Sequence, residues 1–177
     1  MQGYLDIAPQ LLLEELYYKV EELPRWNPTL EEVRILQLVD HTTDISYQVC
    51  GEAGAGLVST RDFVNLRHWA AVEDGVFVSA VASVEHAAMR AVSGRVRGTN
   101  GPGCFALRRV EAADEAAGAR TQFQWLLDTD LRGWIPQAVI DRTLSGVQLD
   151  YIARLRARVR DLQSPPVGLP AQPRLAS

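Results

Sequence analysis

Residues 134–163 carry the longest regular pattern of apolar side chains in the sequence, and this segment constrains the fold most. Its apolar side chains recur at steps of four and three, so they form one stripe along an α-helix. Pro136 suits the first helical turn, and Pro165 with Pro166 ends the helix. A helix with so wide an apolar face packs on another layer, and the preceding segments are mostly strand-like. The sequence therefore predicts an α+β fold, in which a curved antiparallel sheet closes around a C-terminal helix. The stripe consists of Ile140, Leu144, Val147, Tyr151, Leu155, Val159 and Leu162.

The chain has 177 residues, of which 47% are hydrophobic, and this suits one domain with a substantial core. We assign residues 1–163 to that domain and the proline-rich residues 164–177 to a disordered tail. The net charge of −4 argues against a nucleic acid partner, because such modules carry clustered positive charge. Cys50 and Cys104 fit neither a disulfide framework nor a metal-binding spacing, so we predict no metal and no cofactor. We also expect no transmembrane segment and no presequence in this chain.

An amphipathic helix is predicted over residues 9–23, ended by Pro24. Leu12, Leu16, Val20 and Leu23 share one face of this helix. The glutamates of the segment are assigned to its solvent side; they are Glu14, Glu15, Glu21 and Glu22.

Strands are predicted at residues 33–39, 45–50, 63–69, 76–82, 94–99, 104–110 and 121–128. A turn at residues 73–75 joins the third strand to the fourth, and residues 112–118 form a later turn. Residues 51–60 hold three glycines, too many for a strand interior, yet they include Leu57 and Val58. Because a loop that exposes apolar side chains often has a function, we expect this loop to move during binding.

Candidate catalytic groups are few. His41, His68 and His86 are spaced with no second ligand or nucleophile, so we interpret them as structural or surface residues. Asp128 and Asp130 could serve as a carboxylate pair, but they lie where a strand gives way to the helix, which favours capping. We therefore predict that the protein is not an enzyme.

Gln48 and Arg67 are polar residues on neighbouring predicted strands, and they form the one constellation that remains. Their strand faces mix polar and apolar residues, so the two-residue period does not decide between a solvent and an interior orientation. Because a buried arginine is costly without a partner, the pattern alone favours the surface for Arg67.

Four blocks resemble the StAR-related lipid transfer (START) domain, and most closely its steroidogenic acute regulatory protein branch. In chain order they are WNPTLEEVRILQ, AGLVSTRDFVNLR, RGTNGPGCF and WLLDTDLRGWIPQAVIDRTL. The resemblance implies a helix-grip fold, in which the sheet and the C-terminal helix enclose one sterol that is carried between membranes. It implies that Arg67 points inward and that Gln48 takes the position of an acidic residue that pairs with this arginine.

The implied partners are cholesterol or a related sterol and, transiently, a mitochondrial or endosomal membrane surface, so we expect a mitochondrial or cytoplasmic protein. Expected lipid-binding residues are Gln48, Arg67, Asn65, Leu57, Val58, Leu144, Val147, Tyr151 and Leu155.

Two departures from the family pattern shape further expectations. Gln48 is not an acid, so Arg67 would lack its ion-pair partner. The nearest carboxylate on the same strand face is Glu52. We therefore expect Gln48→Glu to raise stability. The family's first helix and first three strands have no counterpart before residue 9, so we expect a truncated domain. Strand 121–128 would then have a free edge, through which the chain could form oligomers. Alternatives are a truncated product that binds no lipid and acts by interaction, and a cyclase-like enzyme of the same fold.

Overall fold

The computed structural model describes residues 1–73, 75–111 and 119–164. An eight-stranded sheet runs in the order β1-β9-β8-β5-β4-β3-β2, with β6 pairing beside β4. A C-terminal helix, α2 (Gln137–Gln163), completes the predicted sheet-and-helix fold. The strands are β1 (Gln2–Leu5), β2 (Leu30–Leu38), β3 (Thr43–Cys50), β4 (Arg61–Glu73), β5 (Val76–Ser83), β6 (Val96–Arg97), β7 (Thr99–Asn100), β8 (Gly103–Val110), β9 (Arg120–Leu126) and β10 (Thr129–Asp130).

β2 pairs with β3 and β4 pairs with β5, as the hairpin pattern predicts, but several strands extend beyond their predicted bounds. The single strand predicted at residues 94–99 is wrong, because this segment forms β6, which pairs in parallel with β4, and the first residue of β7. β3 begins at Thr43, so Asp44 lies in the strand and pairs with Arg67 of β4. β4 and β5 pair antiparallel on either side of the predicted turn, with Glu73 opposite Val76. Asp74 in that turn, the predicted turn at 112–118 and the predicted tail beyond residue 164 lie outside the described residues.

The expected free edge on the last long strand is wrong. β1 pairs antiparallel along β9, with Gln2 opposite Gln124 and Leu5 opposite Thr121. Short pairing of this kind is invisible in a sequence pattern, because the four residues of β1 offer one buried side chain, Leu5. The basis for oligomers through β9 is therefore absent, and one strand precedes the segment at which we expected the domain to begin.

The N-terminal helical segment contains three kinds of helix in succession. An α-helical turn, α1 (Pro9–Leu13), is followed by a π-helical turn (Glu14–Tyr18) and a 3₁₀ segment (Val20–Arg25). The predicted apolar face is confirmed, since Leu12, Leu16, Val20 and Leu23 are buried. The assignment of Glu15 to the solvent side is wrong: Glu15 is 1% exposed and its Oε1 lies 2.6 Å from Nε of Arg158 on α2.

The two halves of α2 differ in packing. Ile152, Leu155 and Val159 in the C-terminal half are buried in the main core, and the ion pair between Arg158 and Glu15 joins this half to the N-terminal helices. Residues 137–150 contain no buried side chain. The predicted apolar stripe thus serves two environments, a solid core at one end and a cavity wall at the other.

The outer face of β3 and β4 is covered by residues 84–97. Asp62 is 1% exposed and accepts hydrogen bonds from Nε and Nη2 of Arg97, both at 2.9 Å, and from Tyr47 at 3.0 Å. Burial alone would raise the pKa of Asp62, but the bonds from Arg97 and Tyr47 outweigh it and lower the pKa. Because residues 84–97 cover the outer face of β3 and β4, the opposite face of these strands lines the interior.

Candidate functional site

A cavity of about 280 Å³ lies between the inner face of the sheet, the N-terminal helices and the N-terminal half of α2. Leu16 and Val20 contribute apolar wall from the N-terminal helices, and Leu144, Val147 and Tyr151 contribute it from α2. Polar side chains are concentrated on the sheet. The cavity is therefore an apolar chamber with a polar floor, which suits an elongated apolar molecule that carries few polar groups.

Most of the residues expected to bind lipid lie at this cavity. Leu57 does not, because it points outward and is 68% exposed at the tip of the loop. Leu155 does not either, because it is fully buried in the core between α2 and the N-terminal helices. The expected residues that line the cavity are Gln48, Asn65, Arg67, Val58, Leu144, Val147 and Tyr151.

Arg67 points inward, as the resemblance implies, but its partner is neither Gln48 nor Glu52. Nε and Nη2 of Arg67 donate to the two carboxylate oxygens of Asp44 at 2.8 and 2.6 Å. The two side chains are 11% and 4% exposed. This bidentate geometry gives Arg67 a full ion pair, so the expectation of an unpartnered arginine is wrong. Gln48 lies four residues from Asp44 along β3, about 13 Å at 3.3 Å per residue.

Tyr17 of the π-helical turn covers this pair, and we call the region the Tyr17 end of the cavity. Nη2 of Arg67 donates to the Tyr17 carbonyl at 3.2 Å, and the guanidinium lies 4.4 Å from the centre of the Tyr17 ring. The Tyr17 hydroxyl donates to the Thr42 carbonyl at 2.8 Å. Tyr18 donates to the carbonyl of His41 at 3.0 Å. A charged pair and the helix that covers it thus hold each other in place.

Arg61 occupies the opposite end of β4, where two loops meet, and we call this region the loop end. The Arg61 side chain donates to the Leu131 carbonyl at 3.1 Å, the Arg132 carbonyl at 3.3 Å, and both the carbonyl and the hydroxyl of Ser59. Arg61 is 5% exposed, and burial lowers its pKa. All of these acceptors are neutral oxygens, so one buried cation joins the 51–60 loop to the segment before α2.

The 51–60 loop also contacts α2 directly. Gly54 has φ +59°, and a side chain at this position would meet Oγ1 of Thr143 at 3.0 Å. Glycine is favoured here both by the left-handed backbone and by the close approach of α2. The 51–60 loop thus faces the N-terminal half of α2.

Asn65 lies on the cavity floor and is 2% exposed. Its Oδ1 accepts from the Ser83 hydroxyl at 3.0 Å and from Nδ2 of Asn100 at 3.1 Å. Asn27, 3% exposed, uses its Oδ1 in a similar way, accepting from the Thr29 hydroxyl at 2.8 Å. The residue pattern singles out neither network, because each joins segments that are distant or irregular in sequence.

Other cavity groups offer little chemistry. Burial raises the pKa of the Cys50 thiol to about 11, so the thiolate that would act as a nucleophile is scarce at neutral pH. Within the described residues, no cluster of three or more His, Cys, Asp or Glu side chains could hold a metal ion. No described helix is long and apolar enough to cross a membrane. The site is built for enclosure and hydrogen bonding.

Comparison with known proteins gives one consistent family. The START domain profile matches residues 1–164. The mitochondrial steroidogenic acute regulatory protein of Danio rerio is 38% identical over 148 residues, which cover 84% of this chain and 50% of that protein. The Homo sapiens protein of the same name is 32% identical over 159 residues, covering 90% of this chain and 54% of that one. The chain thus spans about half the length of these curated relatives.

Solved structures agree on the fold. Human StAR-related lipid transfer protein 5 superposes with a TM-score of 0.81 at 23% identity, covering 92% of this chain and 75% of that one. Human STARD10 gives a TM-score of 0.76 at 14% identity, with coverages of 92% and 62%. The Zhui aromatase/cyclase from Streptomyces sp. R1128 gives 0.65 at 14% identity, with 96% of both chains covered. At these identities the likeness concerns the helix-grip fold alone.

Proposed function

Because this chain belongs to the START domain family, we propose that it encloses one lipid molecule in its cavity and carries it between membranes. The observation that carries this proposal is the cavity of about 280 Å³, apolar on its helical walls and polar on the floor. Seclusion of an apolar molecule from water is the physical requirement for its transport through an aqueous phase.

The proposed cargo is cholesterol or a related sterol, and the proposed membrane partner is a mitochondrial or an endosomal membrane. Support comes from the mitochondrial steroidogenic acute regulatory proteins, which are identical to this chain at about a third of the aligned positions. A rigid, elongated, nearly apolar molecule with a polar group suits a chamber whose polar groups lie mainly on the sheet. A carrier is favoured over a cyclase because Gln48 and Asn65 on the floor are neutral amides, which are poor proton-transfer groups.

Membrane contact is proposed at the loop end. Trp134, three residues before α2, is 94% exposed, and Leu57 at the tip of the 51–60 loop is 68% exposed. Arg61 bonds to both Ser59 and Arg132, so these two exposed side chains project from segments that are joined to each other. Tryptophan favours the membrane interface, which gives the loop end a reason to expose it.

Native mass spectrometry and a vesicle-to-vesicle transfer assay with a fluorescent sterol test the proposal. The protein should carry one sterol per chain and accelerate transfer. Val147→Trp fills the cavity from α2 and should abolish both, whereas Leu149→Trp, 69% exposed on the same half of the helix, should preserve both. Absence of any bound lipid from the folded wild-type protein, or equal transfer by the two variants, would refute the carrier function.

A further inference from the structure

Asn27 and Asn65 are buried amides that line the cavity and have the same kind of unfilled hydrogen bond. In both residues Oδ1 already accepts hydrogen bonds from the protein: Asn65 from Ser83 and Asn100, and Asn27 from the Thr29 hydroxyl and backbone. Within the described residues neither Nδ2 group donates to a protein acceptor. Each amide therefore offers a donor to whatever occupies the cavity.

The two donors are well separated. Asn27 lies near the level of Arg61 across the sheet, because it closely precedes Leu30, Leu30 pairs with Cys50, and Cys50 pairs with Arg61. Asn65 lies four residues beyond Arg61 on β4, which is about 13 Å along the strand at 3.3 Å per residue. A single hydroxyl cannot reach both groups. An elongated molecule with a polar group near each end can reach both.

The charges nearby favour a neutral polar group at Asn65. Close to Asn65, the charge of Arg67 is neutralised by Asp44 in the bidentate pair. A carboxylate or phosphate thus meets no unpaired cation at Asn65. At the loop end the lining holds both a cation, Arg61, which is bound by neutral oxygens, and a carboxylate, Glu52.

From this arrangement we infer that the cavity is specific for a sterol with two polar groups, one near each end, over a sterol with one. A hydroxyl on the ring system and a second hydroxyl near the end of the side chain have the required separation. One oxygen accepts from Nδ2 of Asn65 and the other from Nδ2 of Asn27. The inference rests on the proposed function, because it identifies the class of the lipid carried.

The test compares the dissociation constants of cholesterol and 25-hydroxycholesterol for the wild-type protein, measured by displacement of a fluorescent sterol. We expect the diol to bind at least tenfold more tightly. Asn27→Leu and Asn65→Leu should each weaken the diol more than cholesterol, so that the ratio of the two dissociation constants falls toward one. Leu144→Ala, which shortens an apolar wall residue, should weaken both sterols equally and keep the ratio.

The outcomes separate this inference from the proposed function. If both sterols bind with equal affinity, or cholesterol binds more tightly, the two-ended specificity is wrong and the carrier function stands. If neither sterol binds, the inference and the proposed sterol cargo are both wrong. The ratio of the two dissociation constants is measured on the wild-type protein, so the inference can be refuted even if neither asparagine variant folds.

Discussion

Arg61 and Arg67 are six residues apart on the same strand, both largely buried and both facing the cavity, yet they are held differently. Arg67 is bound by a carboxylate in two parallel hydrogen bonds and is covered by Tyr17. Arg61 is bound by the neutral oxygens of two loops. A charged pair in a buried site is costly to separate, while bonds to loop carbonyls can be exchanged for water. The difference indicates a fixed Tyr17 end and a loop end that can open.

Breaking the fixed end should have the largest effect. Asp44→Asn leaves the Arg67 guanidinium buried without its counter-charge, and we expect a loss of about 3–5 kcal/mol in the free energy of unfolding. Arg67→Met leaves the Asp44 carboxylate in the same position and should cost a similar amount. The double variant should cost much less than the sum of the two, because neither unpaired charge remains. Additive losses in urea unfolding would show that the pair contributes nothing as a pair.

The position of Asp44 marks the limit of what the sequence could predict here. The fold, the long helix and the inward Arg67 follow from the apolar stripe and the resemblance. Asp44 was hidden because residues 41–44 look like a turn, whereas β3 begins at Thr43 and places Asp44 opposite Arg67. Asp44 can be identified as the partner of Arg67 only when the hairpin register is known, because the register fixes the cross-strand neighbours. Leu155 was misplaced for a related reason, since a helical stripe does not distinguish a core from a cavity wall.

Gln48→Glu tests whether the Arg67 to Asp44 pair is complete. We now expect this variant to lower stability, whereas the sequence alone led us to expect an increase. Arg67 already satisfies Asp44, and Arg61, the other cation on this face, is already bound by the oxygens of two loops. A glutamate at position 48 would therefore bring a carboxylate to the cavity with no free cation to pair with it. We expect a loss of about 1–3 kcal/mol near neutral pH, the cost of an unsatisfied buried group. Burial would raise the pKa of this glutamate above its unfolded value, so the penalty should be full above the folded pKa and vanish near pH 4. A gain in stability at neutral pH would mean that Arg61 or Arg67 pairs with the new carboxylate.

The loop end should respond to Arg61→Leu mainly in its dynamics. The variant loses bonds that join Ser59 to the segment before α2, at a cost of about 1–3 kcal/mol for bonds made by a charged donor. Release of a bound fluorescent sterol should accelerate at least tenfold. Asp44→Asn, compared at a urea concentration that equalises the fraction folded, should show a smaller acceleration. Equal acceleration in both variants would mean that the two ends do not differ in mobility.

Linking the loop to the helix should do the opposite. A side chain at Gly54 would lie 3.0 Å from Oγ1 of Thr143, so Gly54→Cys with Thr143→Cys suits a disulfide. The left-handed φ of +59° at Gly54 costs about 1–2 kcal/mol for another residue, so the oxidised form must be compared with the reduced form of the same variant. Oxidation should slow lipid exchange severalfold. The single Gly54→Cys variant under the same oxidant is the control, and exchange at the same rate in both redox states would exclude the loop from the opening motion.

The smallest expected effect on stability and exchange comes from substitutions in α2. They test whether one half of the helix is fixed and the other can move, as we infer for the Arg67 and Arg61 ends of the cavity. Gly146 is exposed in the half that covers the cavity, and a side chain there would meet nothing within 4 Å. Gly146→Ala should therefore stabilise the protein by up to about 1 kcal/mol through helix propensity alone, and it should slow lipid exchange. Ala157→Gly is the matched control, because Ala157 is exposed in the half anchored by the Arg158 to Glu15 pair. This variant should lose a similar free energy of unfolding in urea without changing exchange. If Ala157→Gly accelerates exchange as much as Gly146→Ala slows it, global stability governs release and the helix moves as one unit.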